Sequence, residues 1–465
     1  MSEFSEKTKY KRTLFIFRRD LRKIDNSGLI AASKTSLEVI PAFIIDPLLI
    51  KKSNRKFSEF RMQFLKDCIC ELNEQLLDSK SHLHIFSGHP KKIILDLITD
   101  CKIDAIFVNR DYTPFSKKRD KEIKRICEEN KIDFVIADDI LLHDVDTIKT
   151  GKGEPYKIFT AFFSKAKELP IRQPQKYNFS NLSDAKIKSE TTIENISELK
   201  IKRNSLQQKG GRESCLERLE NIKNLVDYDE KRNFPAINGT SLLSAHNKFG
   251  TCSIREIYEV CINTLGPNHT IIRELYWRDF FTYLMHHFQY TFSKEFNKNF
   301  QKIKWHKDKK YFLKWCKGQT GFPIVDAGMR ELNQTGFMHN RVRMIVASFL
   351  TKDMHIDWRL GEKYFATKLI DYDPCVNIGN WQWAASTGCD AQPWFRIFNP
   401  WIQQKKFDPN CTYIKKWIPE LKELPAKNIH LLWKSFPKNS SYPKPILEHK
   451  SESQKSKEIF KMCTV

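Results

Sequence analysis

The chain has 465 residues, 40% of them hydrophobic, and its 79 Lys and Arg against 56 Asp and Glu give a formal net charge of +23 and a pI near 9.4. That apolar share supports a sizeable core and excludes a wholly disordered chain, while the positive excess asks for an anionic partner. No run approaches the ~18 apolar residues of a membrane span, and the stretch from Met1 to Phe17 is polar for too long to be a signal peptide, so the sequence predicts a soluble intracellular protein with no membrane partner.

From the N-terminus, Leu14–Phe17, Val39–Ile45, Leu83–Phe86, Ala105–Val108 and Phe134–Ala137 are short apolar runs that read as buried strands. Amphipathic stretches such as Glu59–Leu77 separate them and read as helices. Strands alternating with helices predict an α/β domain over residues 1–138, a doubly wound parallel sheet with a ligand crevice at the carboxyl ends of its strands. Neither G-x-G-x-x-G nor G-x-x-x-x-G-K-[ST] follows the first strand, so ordinary dinucleotide or P-loop chemistry is not indicated there. Residues 139–205, rich in Lys, Ser, Asn and Pro, read as a long linker wrapped over the surface. Helix periods dominate from 206 to 450 and predict an all-α domain, and 451–465 reads as a charged tail.

The twelve cysteines are dilute and irregularly spaced, the nearest pair being Cys68 and Cys70, which indicates free thiols in a reducing compartment. Neither Cys nor His supplies the two closely spaced ligand pairs of a structural zinc site, so no metal is expected. All ten tryptophans lie at or beyond Trp277. They fit either a large helical core or an aromatic site for bases, a ring cofactor or electrons.

Three helical faces carry candidate chemistry. Glu274, Trp277 and Arg278 stand at i, i+3 and i+4, which puts a carboxylate, an indole and a guanidinium on one face. They read either as an intrahelical Glu–Arg pair beside a core Trp or as a site where the carboxylate accepts a base N–H. Asn340 and Met344 are i, i+4 neighbours while Arg341 points elsewhere. The amide can both donate to and accept from a nucleobase and the thioether can lie against a ring, although an Asn cap and a core Met are the plainer reading. In the segment Asp371 to Gly388, Asn377 and Trp381 share a face if the stretch is helical, whereas Trp381 and Trp383 diverge by ~200° and could serve two pockets. Thr240, Ser241 and Ser244, with Leu242 and Leu243 between them and Tyr228 and Arg232 upstream, place three hydroxyls within five residues, where a helix start could hold a diphosphate.

Phe17-Arg-Arg-Asp-Leu-Arg22, Trp277-Arg278, Gly321-Phe-Pro-Ile-Val-Asp-Ala-Gly-Met-Arg330, Met338-His-Asn-Arg-Val-Arg-Met344, Asn380-Trp-Gln-Trp-Ala-Ala-Ser-Thr-Gly388 and Phe395-Arg-Ile-Phe-Asn-Pro400 together resemble the photolyase/cryptochrome family. The resemblance spans nearly the whole chain and is greatest to class I cyclobutane pyrimidine dimer photolyases. It implies an α/β antenna domain, a helical domain holding FAD, and light-driven repair in which excited FADH⁻ lends an electron to the dimer and recovers it without net redox change. Carried over by residue, it implies flavin phosphate contacts at Tyr228 and at Thr240, Ser241, Leu242, Leu243 and Ser244, and isoalloxazine and ribose contacts at Asp371, Asp373 and Asn377. Arg343 would partner Asp371, Asn377 would lie near nitrogen-five of the flavin, and Arg278 would face the diphosphate or assist with DNA.

For DNA carrying a cyclobutane dimer, the resemblance implies polar contacts from Glu274 and Asn340, flanking rings at Trp277 and Trp383, an apolar wall at Met344, and phosphate contacts at Arg232 and Arg341. A dinucleotide flipped out of the helix needs this mix of edge hydrogen bonding and stacking, and photolyases are among the base-flipping enzymes. Trp305, Trp358 and Trp381 match the family's electron-transfer chain, with Trp381 nearest the flavin. The protein is expected to act as a monomer and, in a prokaryote, in the cytoplasm on nucleoid DNA. The rivals are a (6-4) photolyase and a cryptochrome light sensor signalling through a protein partner. Against the first, Asn340 and Met344 stand where its histidine acid/base pair would be. The second antenna chromophore stays open between deazaflavin, folate and another flavin, because Phe115-Ser116 stands where folate-binding members tend to have Asn-Glu.

Overall fold

The computed structural model describes residues 8–196, 199 and 208–464, so the expected boundary between linker and helical domain at 205 and 206 lies outside the described residues. All five apolar runs form strands: β1 (Tyr10–Phe17), β2 (Ser36–Ile45), β3 (His84–Ser87), β4 (Ala105–Asn109) and β5 (Asp133–Ala137). They lie in the order β3-β2-β1-β4-β5 with every neighbouring pair parallel. Phe15 and Phe17 enter a layer shared with α1 (Ser27–Thr35) and α2 (Glu59–Leu77), while Leu14 and Ile16 enter the opposite layer with α3 (Pro90–Cys101) and α4 (Pro114–Glu129). Burial on both faces is why these strands read as unbroken apolar runs rather than as alternation.

Strand order reverses between β1 and β4, where a crevice opens at the carboxyl ends of such a sheet. At this end of the sheet a seam of buried ion pairs joins it to the helical region. Arg22, from the loop after β1, donates to both carboxylate oxygens of Asp139 at 2.9 and 2.7 Å, and Arg255 of the helical domain donates to Asp139 at 2.8 Å and to Asp25 at 2.6 Å. Arg19 crosses the same seam to Asp373. Burial alone would raise the Asp139 carboxyl, but Arg22 and Arg255 outweigh it and hold it down to about 2.

The linker departs from its expected surface course. Ile140, Leu141, Leu142, Val145 and Ile148 are buried in the helical core, and α5 (Phe159–Glu168) adds Phe162 and stacks Phe159 on Trp277 at a ring separation of 3.6 Å. Further on, the connector bridges Leu182 to Val39 and bonds Thr191 N–H to the carbonyl of Ile85, running along the sheet edge.

Among the described residues from 208 onward no strand forms, and a single isolated bridge joins His306 to Ile356. The elements that build the site are α6 (Ser244–Phe249), α7 (Thr270–His287), α8 (Asn340–Ser348), α9 (Trp358–Ala366) and α10 (Pro374–Ala384). Close approach of α7 and α10 requires Gly379, whose added Cβ would lie 2.3 Å from Phe281. The supposed charged tail is a docked helix, α11 (His449–Thr464), which buries Ser456, Phe460 and Cys463 at i, i+4 and i+7. Its many Lys and Glu residues occupy the exposed face and mask that stripe in the sequence.

Candidate active site

A cavity of about 530 Å³ opens between α7, α8, α10 and the segment leading into α6. Its size is that of a cofactor site. Of the residues singled out from the sequence, Tyr228, Arg232, Thr240, Ser241, Leu242, Leu243, Ser244, Glu274, Trp277, Arg278, Asn340, Arg341, Arg343, Met344, Asp371, Asp373, Asn377, Trp381 and Trp383 all line it, whereas Trp305 and Trp358 do not. Five cationic side chains, Arg232, Lys248, Arg278, Arg341 and Arg343, face three carboxylates, which leaves the cavity suited to an anion.

At one end, the hydroxyls of Thr240, Ser241 and Ser244 precede and open α6, with Leu242 in the left-handed region at φ 54° to make the turn. Lys248 sits one turn beyond Ser244 and shares its face. Burial, followed by the repulsion of Arg19, lowers its ammonium to about 8, so an anion in this cavity would stabilise the charged form. The neighbouring Asn247 Oδ1 is buried without a hydrogen-bond partner.

At the centre, Arg343 grips Asp371 with both terminal nitrogens at 3.2 and 2.9 Å. The Asp373 carboxylate is held by Arg19 and accepts from the N–H groups of Cys375 and Val376, so it caps α10 as well as lining the cavity. Asn377 donates Nδ2 toward Glu362 Oε1 at 3.3 Å, and Glu362 also accepts from Tyr372 Oη at 3.0 Å. Because Nδ2 also donates toward the main-chain carbonyl of Glu362 at 3.4 Å, and a carbonyl only accepts, Glu362 fixes which way the amide points and leaves Oδ1 of Asn377 as a free acceptor. Glu362 carried no sequence signal, since it comes from another helix fifteen residues upstream.

At the mouth, Glu274 pairs with Arg232 rather than with Arg278, so the intrahelical reading of that face is not what forms. Arg278 instead donates to Asp279 at 2.6 Å and to the carbonyl of Ile140 at 2.7 Å, tying the connector to α7. Asn340 is not the helix cap. His339 fills that place, its Nδ1 accepting from Arg341 N–H at 3.2 Å, which frees the exposed Asn340 amide to lie 3.9 Å from the Met344 sulfur. Burial, then the nearby Arg343 and Arg341, push the His339 imidazole down to about 4. Arg341 donates to Asn233 Oδ1 at 2.6 Å and stacks over Phe407.

Trp381 and Trp383 line this one cavity rather than two separate pockets, and differ in burial. Trp381 is buried, with Phe365 at 5.0 Å and Trp315 at 6.2 Å between ring centroids, while Trp383 is half-buried. Trp358 is buried at the start of α9 with Nε1 on Glu295 at 3.2 Å, and Trp305 lies beside the bridge from His306 to Ile356.

Residues 13–177 match the family model described as DNA photolyase and residues 271–462 that of the FAD binding domain of DNA photolyase. The chain is 35% identical to the deoxyribodipyrimidine photo-lyase of Synechococcus, covering 96% of each chain, and 34% identical to that of Escherichia coli, covering 93% of this chain and 95% of that one. The chain belongs to the DNA photolyase family. Among solved structures, an archaeal photolyase from Sulfolobus tokodaii with two FAD molecules is similar with a TM-score of 0.88 and 41% identity, over 97% of this chain and all of that one. A class III photolyase from Agrobacterium tumefaciens is similar with a TM-score of 0.89 and 32% identity over the full length of both.

Proposed function

We propose that this protein repairs cyclobutane pyrimidine dimers in DNA under light, with FAD in the 530 Å³ cavity and the flipped dimer at its mouth. The observation that carries the reading is convergence. One cavity joins a hydroxyl and lysine cradle at Thr240–Lys248 to a rim of Glu274, Trp277, Asn340, Met344 and Trp383, though these come from four separate stretches of chain.

The donor set fits FAD. Hydroxyls and backbone N–H groups around Thr240 to Ser244, with Lys248 and Arg278, suit a diphosphate. The Asp371–Arg343 pair and Asn377 suit the polar edge of the ring system. When bound, reduced FAD supplies the light-driven electron that opens the cyclobutane ring. The chain's own work is positional. Glu362 orients Asn377 so that a neutral acceptor, not a fixed charge, meets the ring. Trp277, braced by Phe159, and Trp383 would hold the dimer between indole faces, and Glu274 and Asn340 would bond its polar edges. Arg232 holds Glu274 through one carboxylate oxygen, leaving the other to accept from the dimer, and its place at the mouth suits a DNA phosphate.

Trp305, Trp358 and Trp381 are proposed as the route by which electrons reach oxidised flavin from the surface. Support comes from a half-buried Trp305, a buried Trp358 at the head of α9, and a Trp381 that both lines the cavity and packs against Gly361 of α9. The His339 cap disfavours (6-4) repair, because a neutral imidazole spent on a backbone N–H is no general acid. The similarity to a structure with two FAD molecules favours a second flavin as the antenna chromophore. A monomer, acting on nucleoid DNA, with an antenna domain ending near 138 and a tail helix from about 449, completes the proposal. No helix among the described residues is long and apolar enough to cross a membrane.

The test is blue light on chemically reduced, anaerobic protein with an oligonucleotide carrying one thymine cyclobutane dimer, beside a (6-4) lesion and a dark control. Recovery of thymine absorbance from the cyclobutane substrate alone is expected. No recovery with FAD bound and reducible would replace the reading with a light sensor.

A further inference from the structure

Away from the cavity, three metal-ligating side chains meet where the connector crosses the sheet edge. His82 and His84 are two residues apart in the extended segment entering β3, so both rings project to the same side, with centroids 4.1 Å apart. Glu190, from the connector, closes on both: Oε2 lies 3.1 Å from His82 Nε2 and Oε1 lies 2.7 Å from His84 Nδ1. The three ligand atoms are all within 4.8 Å of one another.

A neutral His84 carries one N–H and can serve only one of its two partners. His84 Nε2 faces the carbonyl oxygen of Ser183 at 3.3 Å and Nδ1 faces the carboxylate, and both partners can only accept. Satisfying both needs an imidazolium in a ring with no solvent exposure, stacked on a second imidazole. A neutral ring either donates Nδ1–H to Glu190, leaving the longer Ser183 contact unmade, or donates Nε2–H to Ser183, which turns an Nδ1 lone pair toward the carboxylate, the arrangement that a cation between them would satisfy. Donation of the distal N–H to a backbone carbonyl is also how ligating histidines are held in one tautomer.

We propose that His82, His84 and Glu190 bind a divalent cation of the Zn²⁺ type, which pins the connector to β3. Two imidazoles and one carboxylate favour such a borderline ion over Mg²⁺ or Ca²⁺, which take oxygen ligands. Bonds of about 2.0–2.2 Å give a tetrahedral site ligand-to-ligand edges of about 3.3–3.6 Å, inside the 4.8 Å within which the three ligand atoms already fall. Water completes the tetrahedron on the His82 side, where the side chain is 27% exposed. The sequence predicts no metal because neither Cys nor His forms two closely spaced ligand pairs. Here the His-x-His pair is local and its third partner lies 106 residues from His84.

The full-length, FAD-loaded protein is stripped of metal with chelator, titrated with ZnCl₂ by calorimetry, and its retained zinc measured after ultrafiltration. His82→Ala, at a partly exposed position, is expected to remove one equivalent of tightly bound Zn²⁺, and Glu190→Gln to lower the affinity about tenfold or more. Zn²⁺ is expected to raise the thermal midpoint of the parent protein but not that of His82→Ala. His286→Ala, in the separate cluster of Asp146, His286 and His287, is expected to leave that equivalent in place. Equal zinc stoichiometry and affinity in the parent and His82→Ala, or no zinc bound by the parent, would overturn the assignment. Repair of dimers should be unchanged in His82→Ala, which separates this outcome from failure of the repair reading itself.

Discussion

Gly361 offers a direct way to move a cavity-lining indole by a change outside the lining itself. It lies in α9, and a Cβ built there would be 2.2 Å from Cη2 and 2.6 Å from Cζ3 of Trp381, and 2.6 Å from Cδ2 of Leu350. Ordinary contact begins near 3.4 Å, so Gly361→Ala must displace Trp381 or α9 by more than about 1 Å. The added methyl gains about 1 kcal/mol of helix propensity, while overpacking a filled core costs about 1–3 kcal/mol. The net is a loss of up to about 2 kcal/mol, or about 2–4 °C in thermal midpoint per kcal/mol for a domain of this size. Electron tunnelling falls exponentially with separation, so photoreduction of oxidised flavin should slow far more than so small a loss of stability suggests. The assay pairs time-resolved absorbance of photoreduction with dimer repair by chemically reduced enzyme and with the flavin content of the purified variant. We expect slowed photoreduction, retained flavin and near-normal repair. Parent-like photoreduction together with a parent-like midpoint would refute the argument that α9 is packed on Trp381 as tightly as the geometry states.

Trp381→Phe should block photoreduction while sparing repair by enzyme already reduced; loss of both would make Trp381 a wall of the pocket rather than a relay. Asn340→Ala and Glu274→Gln should each weaken discrimination between damaged and undamaged DNA by about 1–3 kcal/mol with flavin content unchanged, measured by competition binding. Rising salt should weaken both kinds of DNA binding in parallel, because the phosphate contribution is common to them. Asp139, at about 2 in the fold against about 3.9 unfolded, binds fewer protons when folded, so its contribution is complete above pH ~4 and is lost as pH falls toward 2. Acid titration of the thermal midpoint should show that loss, and Asp139→Ala should remove about 3–5 kcal/mol at neutral pH by stranding Arg22 and Arg255.

Local pattern carried much of this protein. Five parallel strands are legible because burial on both faces forces unbroken apolar runs, and helical spacing does put Asn340 one turn from Met344, whereas Trp381 and Trp383, which it turns apart, line one cavity. What the spacing could not give is partner choice across the chain. Glu274 chooses Arg232 over Arg278 on its own helix, Asn377 is oriented by Glu362 from α9, and Phe159 from a stretch taken for surface linker braces Trp277. The docked tail was hidden for a related reason, since three buried residues on a helix rich in Lys and Glu leave too faint a stripe to be seen in composition. Hydrophobic periodicity reports whether a residue faces inward. Only the tertiary structure decides what it meets there, because hydrogen bonds, ion pairs and ring contacts join residues whose separation along the chain carries no information about distance in space.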